Sequence, residues 1–178
     1  MSTIGQGLPP LRAEERGITK NTAIGVIVVV IVIAAVYALQ TGGGGGELNA
    51  SNLTFCKGEP GGFQDYEEKP NATYSRGDKV WIYAEIDNVD TETVRGEEGK
   101  VRIWVTTKLV IEKDGSQVKS TKETGSIVKI DEDRIGELFT KRSFDTEGLS
   151  AGTYTLKLVI RDKQAGASET LTGKFTIE

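Results

Sequence analysis

The sequence predicts an all-β antiparallel sandwich held outside a membrane by one N-terminal transmembrane helix. Three observations predict it. An unbroken run of apolar or small residues fills positions 23–39 of the 178-residue chain. From Phe55 onward the hydrophobic period is two, the period of half-buried strands. Asp114-Gly115 separates two such segments, and Asp-Gly between strand patterns signals a hairpin because both central residues take positive φ. Together they divide the chain into a cytoplasmic segment 1–22, a transmembrane helix 23–39, a flexible Gly-rich linker 40–54 and an extracytoplasmic β-sandwich domain 55–178.

As a helix the apolar run spans about 25 Å at 1.5 Å per residue, near the lower limit for crossing a bilayer. Its Val and Ile favour strand in water, but the run is too long for an ordinary strand, and lipid forces backbone bonds to close internally. Tyr37 falls near the outer interface. Arg12, Arg16 and Lys20 precede the run, and the first basic residue after it is Lys57. The positive-inside rule then puts the N-terminus in the cytoplasm and the large domain outside, at the cell surface. The stretch ending at Ala38, Val-Tyr-Ala, also offers small residues where a signal peptidase reads.

Arg16-Gly17-Ile18-Thr19, just before the run, resembles the class III (prepilin-type) signal of archaeal surface proteins. The resemblance implies a cut between Gly17 and Ile18, with the apolar helix kept on the mature protein. The chain departs from many type IV pilins, which carry glutamate at the fifth mature position, where this chain has Thr22. An uncleaved anchor, its cytoplasmic end held by Arg16 and Lys20, is the plain alternative.

Residues 42–46 are five glycines, a composition that behaves as flexible coil. Asn49-Ala-Ser, Asn52-Leu-Thr and Asn71-Ala-Thr are glycosylation acceptor triplets, none with Pro in the middle, so Asn49, Asn52 and Asn71 are candidate sugar sites.

In the outer domain, Val80, Ile82, Ala84 and Ile86 alternate with Trp81, Tyr83 and Glu85. A long strand then leads through Asp114-Gly115 into a returning one. One or two less regular strands fall between 126 and 144, around the polar Asp131–Glu137 connector. Tyr154, Leu156, Leu158 and Ile160 alternate next, a loop covers 163–168, and Leu171, Phe175 and Ile177 complete about seven strands. The stretch Leu149-Ser-Ala-Gly-Thr-Tyr154-Thr-Leu156 resembles the L-x-x-G-x-Y-x-L pattern at a corner of immunoglobulin-like domains. That resemblance implies an immunoglobulin-like sandwich, with the Tyr154 ring buried and its hydroxyl bonded to nearby backbone. The stretch 56–89 resembles the opening of a group of bacterial and archaeal envelope proteins, with Tyr-Ser-Arg-Gly-Asp-Lys where their turn has Pro; the resemblance implies architecture only.

Chemistry is sparse. Histidine is absent, which removes Ser/His/Asp and Cys/His catalysis and His-ligated metals. Cys56 is the only cysteine, so it is either a small apolar core residue or an interchain partner. Beyond residue 22 the chain carries 19 Lys+Arg against 24 Asp+Glu, a balance that gives no electrostatic reason to expect nucleic acid. The glycines follow an apolar run and lack the Lys-Ser/Thr ending of a phosphate loop. The acidic clusters Asp87, Asp90, Glu92, Glu97, Glu98 and Asp131, Glu132, Asp133 lack EF-hand spacing. Glu85 and Asp87, two apart on a strand, are a common pattern and a poor glycosidase pair. No catalytic residue, metal site or cofactor is expected.

Trp81, Tyr83 and Trp104 stand opposite their strands' aliphatic series, which makes them a candidate patch for a protein or envelope polysaccharide; the alternative is a second half of the core. The expected function is therefore binding or structural contact at the cell envelope by a single-pass surface protein that is not an enzyme. Two alternatives stand beside it. One is a pilin-like or archaellum-associated subunit that self-associates after class III cleavage. The other is an extracytoplasmic protease inhibitor or enzyme.

Overall fold

A computed structural model describes residues 47–178. The segment 1–22 with its Gly17-Ile18 pair, the transmembrane helix 23–39 and the glycine run lie outside the described residues. Among the described residues no helix is long and apolar enough to cross a membrane.

The period-two segments fold as strands, in chain order β1 (Asn49–Cys56), β2 (Thr73–Tyr74), β3 (Lys79–Asp87), β4 (Glu92–Thr93), β5 (Lys100–Lys113), β6 (Ser116–Ser120), β7 (Thr124–Asp131), β8 (Phe139–Asp145), β9 (Gly152–Asp162) and β10 (Ser168–Ile177). A 3-10 helix, Glu132–Glu137, joins β7 to β8. The strands form two sheets. One has the order β1-β3-β8; the other runs β2-β10-β9-β5-β4, with β6 and β7 also paired to β5.

The inner faces supply the core. Val80, Ile82 and Ala84 of β3 meet Leu109 and Ile111 of β5, Leu156, Leu158 and Ile160 of β9, and Phe175 and Ile177 of β10, all fully buried. Each large side chain contributes roughly 1.5–3 kcal/mol relative to exposure. The result is an all-β domain of two sheets with an immunoglobulin-like sandwich layout. The Tyr154 hydroxyl donates to the Ser150 carbonyl at 2.7 Å and its ring is buried, the corner implied by the Leu149–Leu156 pattern. Asp114 (φ 51°) and Gly115 (φ 78°) make the expected two-residue turn between β5 and β6.

The returning strand is longer than its sequence suggests. β6 pairs with residues 110–113 of β5 and β7 with residues 100–107, so the two lie end to end along one edge of β5. The break between them is at Thr121, whose hydroxyl takes the bond from the Leu109 N–H that a ladder carbonyl would accept. Gly125 restores the pairing: a Cβ there would sit 2.2 Å from the Val105 carbonyl oxygen.

Three expectations change. The domain begins before residue 55, because Asn49–Cys56 is a strand and Leu48 and Ala50 are buried in the core. Polar Asn49, Ser51 and Asn52 hid it, and a bulge at Asn52 (φ 53°) shifts the register between Ser51 and Thr54, which brings Phe55 inward. The pairing is not antiparallel throughout, since β2 runs parallel to β10. Among the described residues the strand count is ten, because β1 is joined by β2 and β4, two-residue pairings too short to leave a periodic signature.

Candidate binding cleft

On one long side the sheets are sealed by β1 against β10, where Gly173 lets the Phe55 ring approach. The other long side faces β8, the last strand of its sheet, toward the edge formed by β6 and β7. Parity on β5 places Thr124, Ser126, Val128 and Ile130 of β7 inward, opposite Thr107, Val105, Ile103 and Val101. The three-stranded sheet ends too early to cover them. Val128 is 42% exposed although it points toward the second sheet.

A cleft of about 420 Å³ results, within the size range of binding sites. Its apolar lining includes Ile86, Ile103, Val105, Val128, Ile130 and Leu138. The 3-10 helix closes one end, tied to β3 by the Ile86 N–H donating to the Leu138 carbonyl at 3.0 Å. Arg142 closes the other. It pairs with Ile82 and so points inward from β8, at an apolar position of the alternation. Its guanidinium donates to the Thr107 carbonyl at 3.2 Å, the Thr107 hydroxyl at 3.0 Å, the Thr121 hydroxyl at 3.3 Å and the Thr124 hydroxyl. Below it, Lys119 Nζ donates to the Asp145 carbonyl at 2.6 Å. Burial pulls the Arg142 pKa down, and among the described residues no carboxylate bonds it. The guanidinium stays charged even so.

Both flanking strands have one free edge among the described residues, since β7 pairs only with β5 and β8 only with β3. An inward charge on an edge strand discourages foreign pairing, and β8 has one in Arg142. The inward side chains of β7 are uncharged. Its outward Ile127 (56% exposed) lies opposite Trp104 (40% exposed), which makes a small apolar patch beside the cleft.

The structure separates the proposed aromatic patch. Tyr83 is fully buried: Tyr66 packs on its ring at 4.3 Å, Phe139 at 5.7 Å, and the Gln64 N–H donates to its hydroxyl at 3.0 Å. The loop 57–69 thus covers an outer face that alternation alone marks as open. Trp81 and Trp104 lie on the outer faces of different sheets, so neither extends the other. Cys56 is buried, and burial first, then Glu68, raises its thiol to about 11.

The acidic clusters are partly spent on ion pairs: Glu92 with Arg102, Glu97 with Lys129 and Asp131 with Lys100. No group of three or more Cys, Asp or Glu among the described residues is placed to hold a metal ion. Glu85 accepts from Asn52 Nδ2 at 2.7 Å, Gln64 and Tyr83. The bond from Asn52 engages one of the two N–H groups on the nitrogen a glycan would use. Asn49 is exposed on β1, and Asn71 is exposed in a turn closed by the Ala72 N–H on the Lys69 carbonyl. The sequence reading overlooked Asp162, buried at the end of β9, where it accepts from the N–H groups of Asp90, Gln164 and Ala165. An Asp opening the loop Lys163–Ser168 is the signal for such a turn.

No family model and no curated protein matches the chain. Among solved structures, a Niemann-Pick type C2 protein from Japanese carpenter ant is similar at 10% identity and TM-score 0.42, over 76% of this chain and 96% of that one. The CARDB domain of a Pyrococcus furiosus protein is similar at 11% identity and TM-score 0.36, over 71% and 88%. A Paenibacillus cycloisomaltooligosaccharide glucanotransferase is similar at 17% identity and TM-score 0.40, over 73% of this chain and 14% of the enzyme. No fold assignment, activity, ligand or partner is carried over from these likenesses.

Proposed function

We propose that this chain is a single-pass, membrane-anchored surface protein whose outer β-sandwich binds an extended segment of a partner protein at its open side. The observation that carries the reading is the cleft between β7 and β8: apolar inside and bordered on β7 by a free strand edge whose inward side chains are uncharged. Strand edges bind extended segments through repeated backbone hydrogen bonds, and neighbouring pockets read alternate side chains. The N-terminal apolar run supplies the anchor in this proposal, and the glycine run supplies a leash that raises the domain's effective concentration near its partner. The sequence of the anchor, with three basic residues before it, supports an outward-facing domain.

The test is a photoreactive side chain placed at Ser126, on the cleft wall, or at exposed Lys174 on β10, in the full chain in its native membranes. The reading expects membrane recovery, loss of the domain to external protease, and an adduct from Ser126 but not Lys174. Soluble recovery, or equal adducts from both positions, overturns it. Arg16-Gly17-Ile18 supports a second reading, a filament subunit. A mature N-terminus at Ile18, together with recovery in sheared filaments, would select that one.

A further inference from the structure

We infer that the cleft takes the C-terminal end of an apolar peptide, added antiparallel to β7 with its terminal carboxylate on Arg142. This rests on the open-side reading above and names the chemistry of the partner. Three features of the cleft converge on it. Polarity is the first. β7 runs from Thr124 to Asp131, so an antiparallel strand beside it travels toward Thr124 and ends where the Arg142 guanidinium bonds the Thr124 hydroxyl. Antiparallel addition is also the more stable pairing.

Charge is the second feature. Arg142 is a half-buried cation whose partners among the described residues are carbonyl and hydroxyl oxygens, and its Nε donates to none of them. Lys141 and Arg134, the other cations lining the cleft, are paired to Glu59 and Glu137. A carboxylate arriving at Arg142 gains charge-assisted bonds from a planar fork already fixed in place. The third feature is the wall. Positions 124–130 of β7 extend over roughly 20 Å at about 3.3 Å per residue, enough for a hexapeptide. Alternate side chains of such a peptide would fall among Ile103, Val128 and Ile130, with the intervening ones beside Ile127 and Trp104. A fatty acid would match the carboxylate and the apolar wall but leave the strand edge unused.

The experiment uses the full chain in detergent micelles and a pooled set of fluorescein-labelled hexapeptides with Val, Ile or Leu at alternate positions. Each peptide is made with a free C-terminal carboxylate and with a C-terminal amide, and binding is read by fluorescence anisotropy. The expected result is free-acid binding about tenfold or more tighter than amide binding, as charge-assisted bonds to one carboxylate imply. Arg142→Gln should erase that difference by weakening the acid more than the amide. Should Arg142→Gln fail to fold, Val128→Glu, at a half-open position, should weaken the acid more than the amide. Equal binding of acid and amide, unmoved by Arg142→Gln, overturns the carboxylate inference and keeps the open-side reading. Binding of neither overturns both. Binding of decanoate that carries fluorescein at its methyl end, with no peptide bound, assigns the cleft to a small amphiphile and overturns the peptide.

Discussion

Phe175 of β10 packs against four rings, Phe55 of β1 at 5.9 Å, Tyr74 at 6.4 Å, Phe144 at 5.4 Å and Tyr154 at 5.3 Å, a cluster that spans both sheets. At the β7–β8 side the same two sheets are held by Arg142 reaching three threonines and Lys119 reaching one carbonyl. The first contact excludes water and tolerates little change. The second is polar, and it leaves apolar wall uncovered beyond its reach. One sandwich therefore carries a side built for stability and a side with surface to spare, and the spare side is where a partner gains most by covering apolar area.

The largest test of that contrast is a pair of truncations. Phe175→Ala should cost roughly 3–5 kcal/mol of unfolding free energy, because it empties a fully buried site shared by four rings. Val128→Ala, on the open side, should stay within about 0.5 kcal/mol. Urea unfolding of both variants checks this, and similar costs would mean that the two sides are equally closed.

Alkaline pH should act on the closed side next. The Cys56 thiol is raised from 9.0 to about 11, and burial also raises the neighbouring Tyr74 phenol. Between those thiol values the unfolded chain has lost a proton that the folded chain still holds, so deprotonation favours unfolding. Stability should be flat below pH 9 and fall from pH 9 to pH 11, because a tenfold difference in proton affinity between folded and unfolded chain corresponds to about 1.4 kcal/mol. Cys56→Ala should flatten part of that fall in urea midpoints taken across the interval. An unchanged slope would show that water reaches the thiol.

Tyr154→Phe removes the bonds to the Ser150 carbonyl and hydroxyl and should cost about 1 kcal/mol, read as a lower urea midpoint at unchanged slope. A cost near zero would mean that ring packing alone makes the corner. The smallest effect concerns sugar. In cells that glycosylate the chain, Asn71 should be filled more fully than Asn52, whose amide is held by Glu85. Glycopeptide mass ratios check this, and Glu85→Ala should raise occupancy at Asn52 if that bond is what restrains it.

Much of the fold was legible because its signals are local. Alternation in β3, β5 and β9, the Asp114-Gly115 turn and the Tyr154 corner each depend on a few adjacent residues. β1 was missed because a bulge at Asn52 breaks its alternation and its outward residues are the polar ones of a linker. Tyr83 stood open between surface patch and core because strand parity gives the face of a side chain and not what covers that face. Arg142 reads in sequence as an ordinary surface cation in Lys141-Arg142-Ser143. Only its pairing with Ile82 turns it inward.

The sequence by itself determined the all-β class, the main hairpin, the tyrosine corner and the absence of histidine chemistry, since each follows from residue type and short-range spacing. It also holds the case for a membrane anchor. Tertiary structure alone decided which strands end their sheets, which aromatic ring the loop 57–69 hides, and that a cleft opens between β7 and β8. Those outcomes depend on how far one sheet extends over the other, a relation between residues distant in the chain that no local pattern encodes.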